Sequence, residues 1–171
     1  MPALSECVIM RKKVAMRRAD REIRDSSEMI DILKRGDVCH IALVDGTEPY
    51  LVTLNYGFSW HSHRPTLYFH CADAGRKMEI LRKNPRACFS VDTDHVVVRG
   101  VKACNWGMKY RSVVGYGDIQ IVEDAAEREE GLRLLMEQYS HSQDCVFESK
   151  ILASTKVLKL EADEITGKKK T

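Results

Sequence analysis

The chain has 171 residues, 44% of them hydrophobic and 30% charged, with a net charge of +2. That length suits one domain with a core of its own, and the composition excludes a disordered chain. So small a net charge argues against nucleic acid as a partner, because the cations at 11–13, 17–21 and 168–170 lie near the ends and lack interleaved aromatics.

No apolar run approaches the length of a membrane span, and no signal-peptide pattern opens the chain. Cys7, Cys39, Cys71, Cys88, Cys104 and Cys145 form no Cys-x-x-Cys pair. A reducing cytoplasm is therefore the expected setting, with no membrane partner.

Residues 1–15 are expected to be a mobile extension, with Met1, Met10 and Met16 as alternative starts. Asp25 and Glu28 make a capping-box pair ahead of Met29, Ile30 and Leu33, and Gly36 supplies a stop, which predicts a helix over 26–35. Residues 38–44 are an apolar strand around His40, closed by Asp45-Gly46, with 49–58 as its hairpin partner. A loop over 59–65 leads into a buried strand, Leu67 to Cys71. His61 and His63 have no partner ligands at useful spacing, and the adjacent His70 and Cys71 point to opposite faces, so neither pair predicts a metal site.

After that strand Asp73 reads as the N-cap of a helix whose first turn holds Gly75, Arg76 and Lys77 and whose apolar side is Met78, Ile80 and Leu81. Two cations at a helix N-terminus oppose the macrodipole, so an anion is expected there. A phosphate fits free amides, a glycine that admits a ligand, an Arg fork and a Lys point charge. From these residues alone, a solvated basic turn is an equal alternative.

Residues 86–92 form the next strand, 95–98 continue it, and 100–107 read as irregular. Residues 111–122 alternate as a long strand, with Gly115 and Gly117 marking a bulge or a close backbone approach. Asp124 caps a helix reaching about Tyr139, residues 156–161 make a last short strand, and 166–171 are a basic tail. Short strands joined mostly as hairpins, with helices outside, describe an antiparallel barrel rather than a Rossmann sheet, and no Gly-x-Gly-x-x-Gly follows the first strand.

Gly75-Arg76-Lys77 after a strand resembles the FMN-phosphate site of the split-barrel flavoproteins related to pyridoxamine phosphate oxidase. Met16 to Ile23, Leu51 to Gly57, Leu67 to His70 and Met108 to Gly117 resemble, in order, one branch of that family, the 5-nitroimidazole-resistance (Nim-type) proteins. The resemblance covers roughly residues 16–160. It implies a mainly β fold with flanking helices, a six-stranded antiparallel split β-barrel over 16–165, and a homodimer with FMN at the subunit interface. It also implies an FMN-dependent oxidoreductase acting on a small molecule, with nitroaromatic compounds as the candidate substrates.

On the same resemblance, Val52, Thr53, Leu54 and Asn55 lie along the isoalloxazine with main-chain groups facing it. Arg76 and Lys77 hold the phosphate, and Ser112 and Arg111 lie near the phosphate or ribityl chain. His70 lies beside the flavin, where a neutral imidazole can donate a proton. Trp106, with Met108 and Tyr110, either covers the flavin of the partner subunit or fills the dimer interface. Other readings stay open: Val52 and Leu54 as barrel core, His70 as a hydrogen-bonded core histidine, a binding protein with little turnover, or haem held by His70 or His40.

Overall fold

A computed structural model describes residues 15–140, 147–148, 152 and 155–171. All but the last residue of the expected extension over 1–15 lies outside them. In chain order the elements are β1 (Glu22–Ile23), α1 (Ser26–Arg35), β2 (Cys39–Asp45), β3 (Glu48–Leu54), β4 (Gly57–His61), β5 (Arg64–Cys71), α2 (Arg76–Lys83), β6 (Arg86–Val98), β7 (Gly107–Ile121), α3 (Ala125–Ser140) and β8 (Lys156–Lys170). The strands form one eight-stranded sheet, ordered β3-β2-β6-β7-β8-β5-β4, with β1 added on β8. Every pairing in it is antiparallel.

Two of the helices, α1 and α3, start where a side-chain cap places them. Asp25 accepts from the amide of Ser27 at 2.9 Å and opens α1, and Asp124 accepts from the amide of Glu127 at 2.8 Å to open α3. The expected capping box is incomplete, because Glu28 reaches instead to the Lys169 ammonium at 2.8 Å.

The sheet has eight strands where six were expected. One addition is the short β1. The other arises because the stretch 49–58 is two strands, broken at Asn55-Tyr56. Tyr56 turns inward until fully buried; its hydroxyl donates to the Leu33 carbonyl at 2.5 Å and its amide donates to the Tyr139 hydroxyl at 3.1 Å. Burial raises the pKa of that hydroxyl, so it stays a donor.

Two further expectations are corrected. The loop over 59–65 is a tight hairpin between β4 and β5 whose turn residues Ser62 and His63 have φ of 50° and 66°. Both values are left-handed, as the two-residue turns that match strand twist require. The last strand runs far past Glu161: β8 stays paired to β7 as far as Tyr110↔Lys170, so Lys168, Lys169 and Lys170 are strand residues. Gly117 shows both expected features, a register shift at Tyr116/Gly117 and a close approach, since a Cβ there would lie 2.2 Å from the Glu161 carbonyl oxygen.

The main core joins inward strand residues such as Ile41, Leu67, Phe69, Phe89, Val113 and Leu160 to Met29, Ile32 and Leu33 of α1 and to Met78, Ile80 and Leu81 of α2. Both helices thus contribute to the central core. A smaller cluster, Tyr68, Val122, Leu132 and Val157, lies under α3, which packs on β4, β5 and β8. Among the described residues the outward sides of β2 and β3 have no such cover, and Val44 and Leu51 stay exposed. Beyond a register shift between Thr93 and Val96, β6 and β7 continue as a ribbon carrying exposed Val96, Val97 and Met108, with Val101 and Trp106 in its connecting loop.

Candidate functional site: an open seam beside a helix N-terminus

Among the described residues β3 pairs only with β2. On β5, pairing to β4 reaches from Arg64 only as far as Tyr68, so Phe69, His70 and Cys71 are paired on the β8 side alone. Two backbone edges therefore flank a seam in the sheet, each with main-chain donors and acceptors that the sheet does not use. Asn55-Tyr56 closes one end as the chain crosses from β3 to β4. Arg76 reaches across at the other, donating from Nε to Asp45 Oδ2 at 3.1 Å and lying 4.9 Å from the centroid of the Tyr50 ring.

Arg76 is the first residue of α2, and the expected cap is corrected here. Gly75 holds the N-cap position with φ of 118°, and among the described residues no side chain caps the helix. Asp73 lies too early in the chain; its carbonyl accepts from Arg82 at 3.3 Å, and its carboxylate is 3.9 Å from Lys156 Nζ. A side chain at Gly75 would meet no neighbour, so its positive φ is what requires glycine. The amides of Met78 and Glu79 bond back to the Gly75 carbonyl. The amides of Arg76 and Lys77 are left among the orphan donors that a helix start presents to an anion.

Lys77 and Lys156 both act on Cys71, whose thiol contacts Met78 Sδ at 3.7 Å. Burial raises the pKa of that thiol, the two lysines lower it and Asp73 raises it. The start of α2 thus gathers Arg76, Lys77 and Lys156 against Asp45 and Asp73, which leaves a positive charge in excess. Nothing in the sequence near the motif points to Lys156, because it arrives through the Cys71↔Lys156 pairing from the far end of the chain. Asp45 and Tyr50 likewise come from the β2–β3 hairpin.

The other candidates divide by strand parity. Val52 and Leu54 are half-buried against the main core, so only their main-chain groups can face the seam. Thr53 is exposed on the outer side, where its Oγ1 lies 3.0 Å from His40 Nδ1. Asn55 is exposed and donates from Nδ2 to the Asp37 carbonyl at 3.4 Å. His70 is exposed while Phe69 is fully buried, which places the imidazole on the outer surface at the β5 edge of the seam and removes the core-histidine reading.

Arg111 goes elsewhere. Its Nη2 donates to Asp31 at 2.7 Å and its Nε to Asp94, both of which also face Arg35, so it ties α1 to the bulge of β6. Ser112 is its neighbour on the opposite face of β7, cross-strand from Asp92 and Lys168. Trp106 is exposed at the tip of the ribbon, in the loop just before β7. The sheet order puts two strands between β7 and β3 and one between β7 and β5, so β7 does not border the seam within one chain.

The fold is shared with known structures. A candidate 5-nitroimidazole antibiotic resistance protein from Bacteroides thetaiotaomicron is 27% identical, over 86% of this chain and 85% of that one, with a TM-score of 0.75. A flavocytochrome from Azotobacter vinelandii gives 21% identity and a TM-score of 0.73, covering 92% of this chain and 72% of its own. A protein of Mycobacterium smegmatis described as binding FAD and haem gives 21% and 0.72, over 87% of this chain and 73% of that one. A comparison with curated proteins gives no match. The family model described as pyridoxamine 5'-phosphate oxidase matches residues 25–169, and the chain belongs to that family.

Proposed function

We propose that this protein is an FMN-dependent oxidoreductase that works as a homodimer and takes nitroaromatic compounds of the 5-nitroimidazole class as acceptors. The observation that carries the reading is the seam between β3 and β5 with the uncapped, cationic start of α2 at its foot. A flat ring with a polar edge needs main-chain donors and acceptors, and a phosphate needs amides and cations; the two requirements meet along one line. Relatives described as binding FAD, or FAD and haem, support a flavin. The cations at Arg76 and Lys77 favour the monophosphate FMN.

When bound, the flavin supplies the electron transfer. The chain's own residues hold and orient. Arg76, Lys77 and their amides take the phosphate, the main chain of Val52 to Asn55 takes the ring edge, and His70 holds a proton beside the seam for a substrate that is accepting electrons. His70→Asn is expected to leave FMN bound, while the rate of nitroaromatic reduction per bound flavin falls by about two to four decades. An unchanged rate per flavin would remove His70 from the chemistry.

Exposed Val44, Leu51, Val96, Val97, Val101, Trp106 and Met108 support the homodimer, since so much apolar surface on two faces of one small barrel calls for a partner. A second copy would also bring its Trp106 and Ser112 toward a seam that they do not reach in their own chain. Sedimentation at micromolar concentration is expected to give twice the chain mass. Val97→Asp with Val101→Asp is expected to yield monomers with low flavin occupancy, and a monomer holding a full complement of FMN would contradict the shared site. Among the described residues no helix is long and apolar enough to cross a membrane. The thiols of Cys39, Cys71 and Cys104 support a reducing cytoplasm as the place of action.

A further inference from the structure

Thr53 and His40 occupy one register position of β3 and β2, and His40 pairs on its other side with Ser90 of β6. The buried neighbours Cys39 and Ile41 fix the imidazole on the outer face of the sheet. Thr53 is exposed beside Leu51, which is 65% exposed, on the strand that borders the seam. A polar pair in hydrogen-bond contact thus stands next to a large bare leucine on an uncovered face.

In that hydrogen bond one of the two groups donates. When the His40 Nδ1–H donates, the Thr53 oxygen accepts from the β2 side and its own proton must point away from β2. The seam lies on that other side of β3. We propose that His40 is a positioning residue that holds the Thr53 hydroxyl as a donor toward the seam, where it binds an acceptor atom on the edge of a planar heteroaromatic ring. The inference rests on the flavin reading above and adds to it a selector for the ring, separate from the cations that select the phosphate.

Flavin fluorescence titrations of the purified protein with FMN and with riboflavin test it. Thr53→Val keeps shape and strand preference, and it is expected to weaken both flavins by the same factor, about three- to tenfold. Thr53→Ser restores binding. His40→Phe weakens both flavins less, and the double variant binds no worse than Thr53→Val alone, a coupling that independent sites would not show. The Nδ1 resonance of His40 shifts when riboflavin is added to wild-type protein and does not shift in Thr53→Val.

If Thr53→Val binds both flavins as wild type does, the pair is only a cross-strand contact and the inference is overturned. It is overturned equally if the variants lower the melting temperature alone. If wild-type protein binds neither flavin, the flavin reading itself fails, and this inference with it.

Discussion

Replacing Arg76 and Lys77 together by alanine is expected to weaken FMN by about two to four orders of magnitude and to leave riboflavin binding as it was. Each charge-assisted hydrogen bond contributes roughly 1.5 to 3 kcal/mol, and the loss of two gives that range. The helix should survive, because Met78, Ile80 and Leu81 anchor it in the main core. Of the two single variants, Arg76→Ala should cost more: it also leaves the Asp45 carboxylate, now 3.1 Å from Arg76 Nε, without that cation and facing the phosphate. Parallel titrations of both flavins measure the effect. Equal loss of FMN and riboflavin would place the phosphate away from α2.

Gly57→Ala is expected to destabilise the fold by about 3 kcal/mol, the upper end for overpacking, and to lower the melting temperature by about 6 to 12 °C. A Cβ at this position would lie 2.3 Å from the backbone carbon of Leu134 and from the amide nitrogen of Leu135. Backbone cannot rotate aside as a side chain can, so α3 would have to move as a body. That movement would pull Gln138 from the carbonyls of Leu33, Lys34 and Gly36, and Tyr139 from the Tyr56 amide and the Asp37 carbonyl. Those contacts hold the closed end of the seam, so the affinities for FMN and riboflavin in titration should fall alike, unlike the phosphate-specific loss at Arg76 and Lys77. Thermal melts followed by circular dichroism give the answer. A melting point within a degree or two of wild type would mean that α3 does not bear on β4 as described.

Features set by neighbours in the chain are legible in the sequence alone. Asp25 and Asp124 place two helix starts, Gly117 marks the irregularity in β7, and Gly75-Arg76-Lys77 marks the start of α2 with its two cations. Features set by residues far apart are not legible there. The break at Asn55-Tyr56 exists because Tyr56 finds the Leu33 carbonyl and the Tyr139 hydroxyl. The second half of β8 reads Asp-Glu-Ile-Thr-Gly-Lys-Lys-Lys, where Ile165 is the one large apolar residue and the buried Gly167 carries no apolar signal. Parity divides the candidates along β3, since Val52 and Leu54 turn to the core and Thr53 to the surface. Arg111 and Ser112 are neighbours in sequence and face opposite ways on β7, and the ion pairs of Arg111 with Asp31 and Asp94 join residues far apart in the chain.

The central claim is that the seam and the start of α2 together hold one FMN per chain. The most direct test is the visible spectrum of the protein after saturation with FMN and removal of free flavin by gel filtration. The expected result is retained flavin bands at about one FMN per chain, and no retention of riboflavin by the same protocol. A protein that emerges without flavin, or with a Soret band and no flavin, would contradict it.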